Sequence, residues 1–492
     1  MRADGGGASG LLVAGTSSDA GKSLVVTGLC RALARAGIKV APFKAQNMSN
    51  NSGVCLDGAE IGRAQFLQAQ AAGVEPESAM NPVLLKPGSD RVSHIVLRGR
   101  PYGTLQAGEY ATGRGVLAEA AFAAYAELAA RFDLVVCEGA GSPAEINLRA
   151  GDYVNLGLAR RFGLPTTVVG DIDRGGVFAA LYGTCALLDD ADRALITSFV
   201  INKFRGDQSV LDPGLTELTR RTGVPFAGVL PWLADVWLDA EDTLQLGWRR
   251  WSEESANLRV AVVRLPRVSN ATDVDALAAE PGVDVVVTTN PGIVADADLA
   301  VLPGSRATVS DLGWLRDRGL ARAIEQRARR GAPVLGICGG YQMLGATVSD
   351  DVEAGSGRQA GLDLLPVRTT FAADKVLGRP SGSWRGHPVT AYEIHHGVAE
   401  VAADVEPFLD GCRVGQVWGT MWHGAFENDP FRRAWLSEAA MAAGSTWRPV
   451  PDAPGYQSRR ELMIDTLADA ITDHLDLDLL LAGTRISGTR PR

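Results

Sequence analysis

The chain has 492 residues, of which 46% are hydrophobic and 21% charged, with a formal net charge of −9 at pH 7. Such a length allows two or three domains with sizeable cores, and the acidic balance excludes sequence-independent nucleic-acid binding, which needs a basic face. The six cysteines form no CxxC pair, no secretory signal opens the chain (the apolar run at 11–14 is too short), and no apolar run reaches membrane-spanning length. The expectation is a cytoplasmic protein with reduced thiols and no membrane partner.

Residues 10–14 read as a short buried strand. Gly15, Thr16, Ser17, Ser18, Asp19, Ala20, Gly21, Lys22 and Ser23 follow, and then a helical run over 24–36. Strand, glycine-flanked loop ending in Gly-Lys-Ser, and helix together predict a phosphate-binding loop. Backbone N–H groups of Gly15, Thr16, Asp19, Ala20 and Gly21 would cradle ATP phosphates, Lys22 would reach the terminal ones, and Ser23 would bind Mg²⁺. Five residues separate the two glycines instead of the usual four. In this the loop resembles the dethiobiotin synthetase group, which activates carboxyl and amine groups.

The polar stretches 44–52 (Lys-Ala-Gln-Asn-Met-Ser-Asn-Asn-Ser) and 57–65 (Asp-Gly-Ala-Glu-Ile-Gly-Arg-Ala-Gln) would ordinarily be read as solvated loops. Both resemble signature stretches of the cobyric acid synthase family, which amidates peripheral carboxylates of the corrin ring. The resemblance runs from Leu11 to about Leu475. By analogy with dethiobiotin synthetase it implies a Mg²⁺ ligand at Glu60, with Asp57 as the rival.

Residues 81–87 and a strand at 93–97 also fit the family. A helix over 116–130 leads into Phe132-Asp-Leu-Val-Val-Cys-Glu138, followed by Gly139. An apolar strand ending in an acid is a Walker B arrangement, so Glu138 is expected to meet the Mg²⁺ of ATP. Residues 167–177 read strand, polar turn, helix, and place Asp173 and Arg174 where open α/β sheets bind ligands. The resemblance implies a corrinoid-side or phosphate-side role for them. A further strand ends in Asn202-Lys203, similar to a base-recognition motif, which makes Asn202 the expected adenine contact.

From 238 to 256 the chain is polar, acidic and without clear periodicity, so a linker is expected at 238–257. Strands restart at 258–263, 283–287 and 299–302 and alternate with helices, one of them spanning 312–329. The fold class expected is α/β, two doubly wound, mainly parallel-sheet domains: 1–237, P-loop, and 258–480, with a disordered tail at 481–492.

Val334-Leu-Gly-Ile-Cys338-Gly339-Gly-Tyr-Gln reads as a buried strand, a sharp turn and a helix start. Small neighbours permit the strained turn of a nucleophile elbow, and a helix N-terminus favours a thiolate. The stretch resembles the elbow of class I glutamine amidotransferases, in which cysteine releases ammonia from L-glutamine. That likeness implies oxyanion donors at Gly304, in Leu-Pro-Gly-Ser-Arg, and Gly339. Of the six histidines, His423, in Gly-Thr-Met-Trp-His-Gly-Ala-Phe-Glu, matches the family's catalytic position. His395 and His396 lie in a second family stretch without an assigned role. Most class I enzymes carry a glutamate two residues after the histidine; here Ala425 stands there, so a Cys–His dyad with a weak orienter is expected.

The reading is an ATP- and Mg²⁺-dependent, glutamine-hydrolysing amide ligase acting on a corrinoid carboxylic acid through acyl phosphates, with homo-oligomerisation left open. Two rivals stand beside it. The sibling that makes the cobyrinic acid a,c-diamide should lack the 47–52 and 57–65 stretches. A partitioning-type P-loop ATPase would not need Cys338 and His423.

Overall fold

The computed structural model describes residues 7–87, 92–106, 114–234, 236 and 257–488. Its first sheet is six-stranded and parallel. The strands are β1 (Gly10–Gly15), β2 (Val40–Phe43), β3 (Leu134–Glu138), β4 (Thr166–Asp171), β5 (Ile196–Phe204) and β6 (Phe226–Pro231), in the order β6-β5-β4-β1-β3-β2. Every residue of β1 is buried, as expected where helices cover both faces of a parallel sheet. Two apolar cores result, one on each face. Helix α1 (Lys22–Arg35) starts at Gly21, whose φ of 102° only glycine adopts cheaply.

Most of the polar residues in the stretches 44–52 and 57–65 are buried, Asp57 being an exception. Residues 46–48 and 83–87 form neighbouring strands of a smaller four-stranded sheet, and 52–54 pair with 60–62 in a hairpin. Asn47, Asn51, Ser52, Glu60 and Gln65 are all buried. Helix α2 (Arg63–Ala72) continues from the hairpin.

The second large sheet holds seven strands. They are β7 (Leu258–Val263), β8 (Val283–Thr288), β9 (Leu299–Leu302), β10 (Val334–Ile337), β11 (Glu406–Phe408), β12 (Gly411–Val414) and β13 (Val417–Thr420), in the order β8-β7-β9-β10-β13-β12-β11. The first five in that order are parallel, and β12 and β11 close the edge antiparallel. The α/β class with two mainly parallel sheets is therefore as the sequence suggests. The helix expected over 312–329 is two, Thr308–Asp317 and Leu320–Arg329, broken at Gly319 with φ 74°. Short helix α3 (Gly339–Leu344) follows β10.

Packing does not follow the expected boundary at 480. Helix α4 (Tyr456–His474) lies along α1: Ile464 and Ile471 join the first half's core, and Arg31 and Arg35 pair with Glu461, Asp465 and Asp469. The helices approach so closely that a Cβ at Gly28 would stand 2.8 Å from the Leu467 carbonyl oxygen. The tail expected to be disordered is ordered through 488, because Leu481 and Thr484 are buried and Ala8 pairs with Thr484. The linker expected at 238–257 lies outside the described residues except for Asn257, as do 489–492. Among the described residues no helix is long and apolar enough to cross a membrane.

Candidate active site

β1 and β3 are neighbours, so the loop after β1 and the acid ending β3 meet at one sheet edge. The Ser23 hydroxyl donates to Glu138 Oε1 at 2.9 Å. Glu138 also accepts from Lys44 Nζ at 2.9 Å and Gln68 Nε2 at 2.5 Å. Burial pushes this carboxyl up, but Lys44 outweighs it, with Gln68 and Lys22 in support, and it is held below the usual range. Lys22 Nζ folds back onto the Ser17 and Ser18 carbonyls, at 2.8 and 3.0 Å. Beside it opens a cleft of about 320 Å³ lined by Asp19, Lys22, Lys44, Asn47, Glu138 and Arg149 among others. A serine hydroxyl against a carboxylate is a hard-oxygen pair of the kind Mg²⁺ accepts with phosphate and water, so these residues fit that ion.

Glu60 does not join them. It is fully buried, one oxygen bonded to Lys86 and the Ser52 hydroxyl, the other to Lys375 of the second half at 2.6 Å. Two ammonium groups occupy the positions a cation would need, and against the pull of burial they hold the carboxyl far below its usual range. The expected Mg²⁺ ligand is thus an interdomain ion pair. Asp57, its rival, accepts from its own turn at Ala59 N, 2.9 Å away.

Three other expected residues also sit differently. Asn202 is buried below the phosphate loop and donates from Nδ2 to the Ala20 carbonyl at 3.0 Å, so that N–H braces the loop. Arg174 pairs with Asp19 at 3.0 Å, and Asp173 with Arg205 at 2.6 Å, both as exposed ion pairs. Arg174, Asp173 and Arg205 stand outside the cleft's lining, which Asp19 alone of the four joins.

In the second half β10 runs into Cys338, which has φ 49° and ψ −110°. Such a conformation costs a non-glycine residue about 1–3 kcal/mol and is held by its surroundings. Cys338 N–H donates to Thr420 O at 2.8 Å. A Cβ at Gly340 would lie 1.9 Å from the Leu302 carbonyl oxygen, which is why glycine must follow. Gly304 lies close to His423: a Cβ there would be 3.0 Å from the ring's Cε1. Gly339 packs equally tightly on Ser305, so the backbone at 304–305 and at 339 converges beside the thiol.

His423 is fully buried. Its Nδ1 sits 2.6 Å from Asp273 Oδ2, while Asp273 Oδ1 accepts from Gly424 N–H at 2.6 Å. Burial alone would lower this imidazole, but the charges of Asp273 and Cys338 outweigh it and raise it to about 10. Tyr392 stacks on the ring, centroids 5.4 Å apart. The expected dyad therefore has a third member, 150 residues upstream of the histidine. Motif reading missed it because the acid does not follow the histidine. The available signal was the polar turn Ser269-Asn-Ala-Thr-Asp273 after β7, at the strand end where such sheets bind ligands.

A narrow cavity of about 40 Å³ adjoins Cys338, lined by Asn270, Arg306, Lys86, Lys375 and His395 among others. Burial, with the charge of His423, lowers His395 to about 4, so it is neutral there.

Two family models match the chain: the CobQ/CobB/MinD/ParA nucleotide binding domain over residues 11–245 and the CobB/CobQ-like glutamine amidotransferase domain over 259–431. A protein named cobyric acid synthase from Cutibacterium acnes is 64% identical over 96% of this chain and 99% of its own length. One of the same name from Mycolicibacterium gilvum is 60% identical over 96% of each chain. Another, from Mycobacterium tuberculosis, is 57% identical over 96% of each.

Proposed function

Because this chain belongs to the cobyric acid synthase family, amido ligases of cobalamin biosynthesis, we propose that it converts adenosylcobyrinic acid a,c-diamide to adenosylcobyric acid by amidating the b, d, e and g carboxylates. One observation carries the reading: a Ser23–Glu138 pair beneath a phosphate loop and a Cys338–His423–Asp273 cluster occur on one chain, each beside its own cavity. The presence of the 47–52 and 57–65 stretches, with Asn47, Asn51, Ser52, Glu60 and Gln65 buried, favours this substrate over the a,c-diamide synthase reaction.

In the second half the Cys338 thiolate attacks the side-chain amide carbon of glutamine. Backbone N–H groups at Gly304 and Gly339 receive the oxyanion. His423, kept charged and oriented by Asp273, gives a proton to the departing ammonia. Water then cleaves the thioester, releasing glutamate and restoring the thiolate. In the first half a substrate carboxylate oxygen attacks the γ-phosphorus of ATP, the bond to the β,γ-bridging oxygen breaks, and ADP leaves. Ammonia displaces phosphate from the acyl phosphate, giving the amide. Ser23 and Glu138 would hold Mg²⁺, which neutralises phosphate charge; Lys22 supplies charge of the same sign. These two residues, rather than Glu60, take the metal role.

The test is turnover of ¹⁸O-carboxylate substrate with product analysis on both corrinoid acids. Label in inorganic phosphate, with ADP and the fully amidated product, is expected. Label in AMP would overturn the acyl phosphate, and amidation of the a,c positions alone would overturn the substrate.

A further inference from the structure

We infer that Asn51, a residue of the nucleotide-binding half, is a positioning residue of the glutaminase cluster in the other half. The inference rests on the reading of Cys338, His423 and Asp273 given above. Asp273 is carried by a short turn, 271–274, entered from Asn270 in the left-handed region at φ 52° and ψ 47°. Among non-glycine residues asparagine enters this region most readily, because its short side chain can hydrogen-bond, and the pose then depends on what that side chain meets. Here the support comes from across the interface. Asn51 Oδ1 accepts from the Ala271 N–H at 3.2 Å, and Asn270 Oδ1 accepts from the Ser52 N–H at 2.9 Å.

The two bonds grip the residues just before Asp273, and all the participants are buried. Two residues on, Asp273 reaches His423 Nδ1 at 2.6 Å. Losing the Asn51 bond frees the turn to shift, and a shift there changes the hydrogen bond that holds the imidazole Nδ1. The same stretch of chain reaches the other site, since Asn47 and Met48 line the nucleotide cleft. Asn51 does not line that cleft, so its effect is on the triad. The titratable and charged groups around the imidazole are Asp273, Cys338 and His395, with Arg63 and Glu427 beyond the Tyr392 ring.

The experiment uses full-length Asn51→Ala and Asp273→Asn beside the parent, with mass-spectrometric readout of iodoacetamide labelling at Cys338 against pH, and steady-state glutamine hydrolysis. Loss of the Asp273 charge lowers His423 and weakens the imidazolium that faces the thiolate, so labelling in Asp273→Asn moves to higher pH. Asn51→Ala should move the same way by less, with kcat for glutamine falling up to about 100-fold and KM nearly unchanged. An Asn51→Ala profile like the parent's, with Asp273→Asn shifted, overturns the positioning role alone. No shift in either variant overturns the triad reading and this inference with it. Should Asn51→Ala not fold, Asn51→Gln, whose amide sits one methylene too far out, is measured the same way.

Discussion

The cleft beside Lys22 measures about 320 Å³, and the cavity beside Cys338 about 40 Å³. Both sit at the carboxyl ends of parallel strands, yet they are walled differently. The cleft takes its lining from residues 18–155, all in the first half. The cavity takes Lys86 from the first half and the rest from the second. On the function proposed above, the open and locally complete site suits exchange of a nucleotide and a large acceptor. The narrow one, finished by its neighbour, suits retention of a small, basic product. In the cleft a buried carboxylate, Glu138, is shared among a hydroxyl, an amide and an ammonium; at the interface Glu60 is locked by two ammonium groups.

The largest effect should come from removing the thiol. Cys338→Ala is expected to lower glutamine-dependent amidation by roughly 10⁴-fold or more, as loss of a nucleophile does. Amidation driven by ammonium salt at alkaline pH should survive, and its loss in a folded protein would erase the division between the sites. Lys22→Ala should cut both glutamine- and ammonium-driven turnover by about 10³-fold, since charge stabilisation at the phosphates serves either nitrogen source. Turnover with ammonium at the parent rate would move phosphate binding elsewhere.

Glu60→Gln sharpens the contrast between the two acids. It should leave the Mg²⁺ dependence of turnover unchanged and reduce stability by about 3 kcal/mol in urea unfolding, because it strands two buried ammonium groups. Burial chiefly, relieved in part by Glu60, already lowers Lys86 to about 8 from an ordinary 10.5. Between those values the unfolded chain binds more protons, so the variant should regain stability as pH rises through that window. A changed Mg²⁺ requirement would return Glu60 to the metal site. The smallest effect belongs to Arg35→Ala: its ion pairs with Asp465 and Asp469 are half exposed, and thermal unfolding should register a loss below about 1 kcal/mol.

Much of this was legible from the chain alone because the chemistry is local. The phosphate loop, the β3 acid and the cysteine elbow each pack strand, turn and functional side chain within about a dozen residues, where spacing determines geometry. Asp273, Lys86 and Lys375 were not legible, because their roles arise from contacts between residues far apart in sequence. Glu60 was misread for the same reason: an acid in a polar signature stretch looks like a ligand until Lys375 is seen 2.6 Å away. The polarity of 44–65 suggested exposure, whereas most of the stretch is buried with its polar groups paired, Lys44 to Glu138 and Asn47 to Gln65 inside the first half, Asn51 and Glu60 to residues of the second.

Helix α4 returns the chain to its starting body after the amidotransferase sheet is complete. The second unit is consequently an insertion with two tethers. A polypeptide strung this way cannot swing about a single hinge; any motion of the second unit must bend both crossings together. It also means the first half is not separable by cutting after residue 237. Such a fragment would leave bare the groove on α1 that Ile464 and Ile471 fill, an exposed apolar face that invites aggregation.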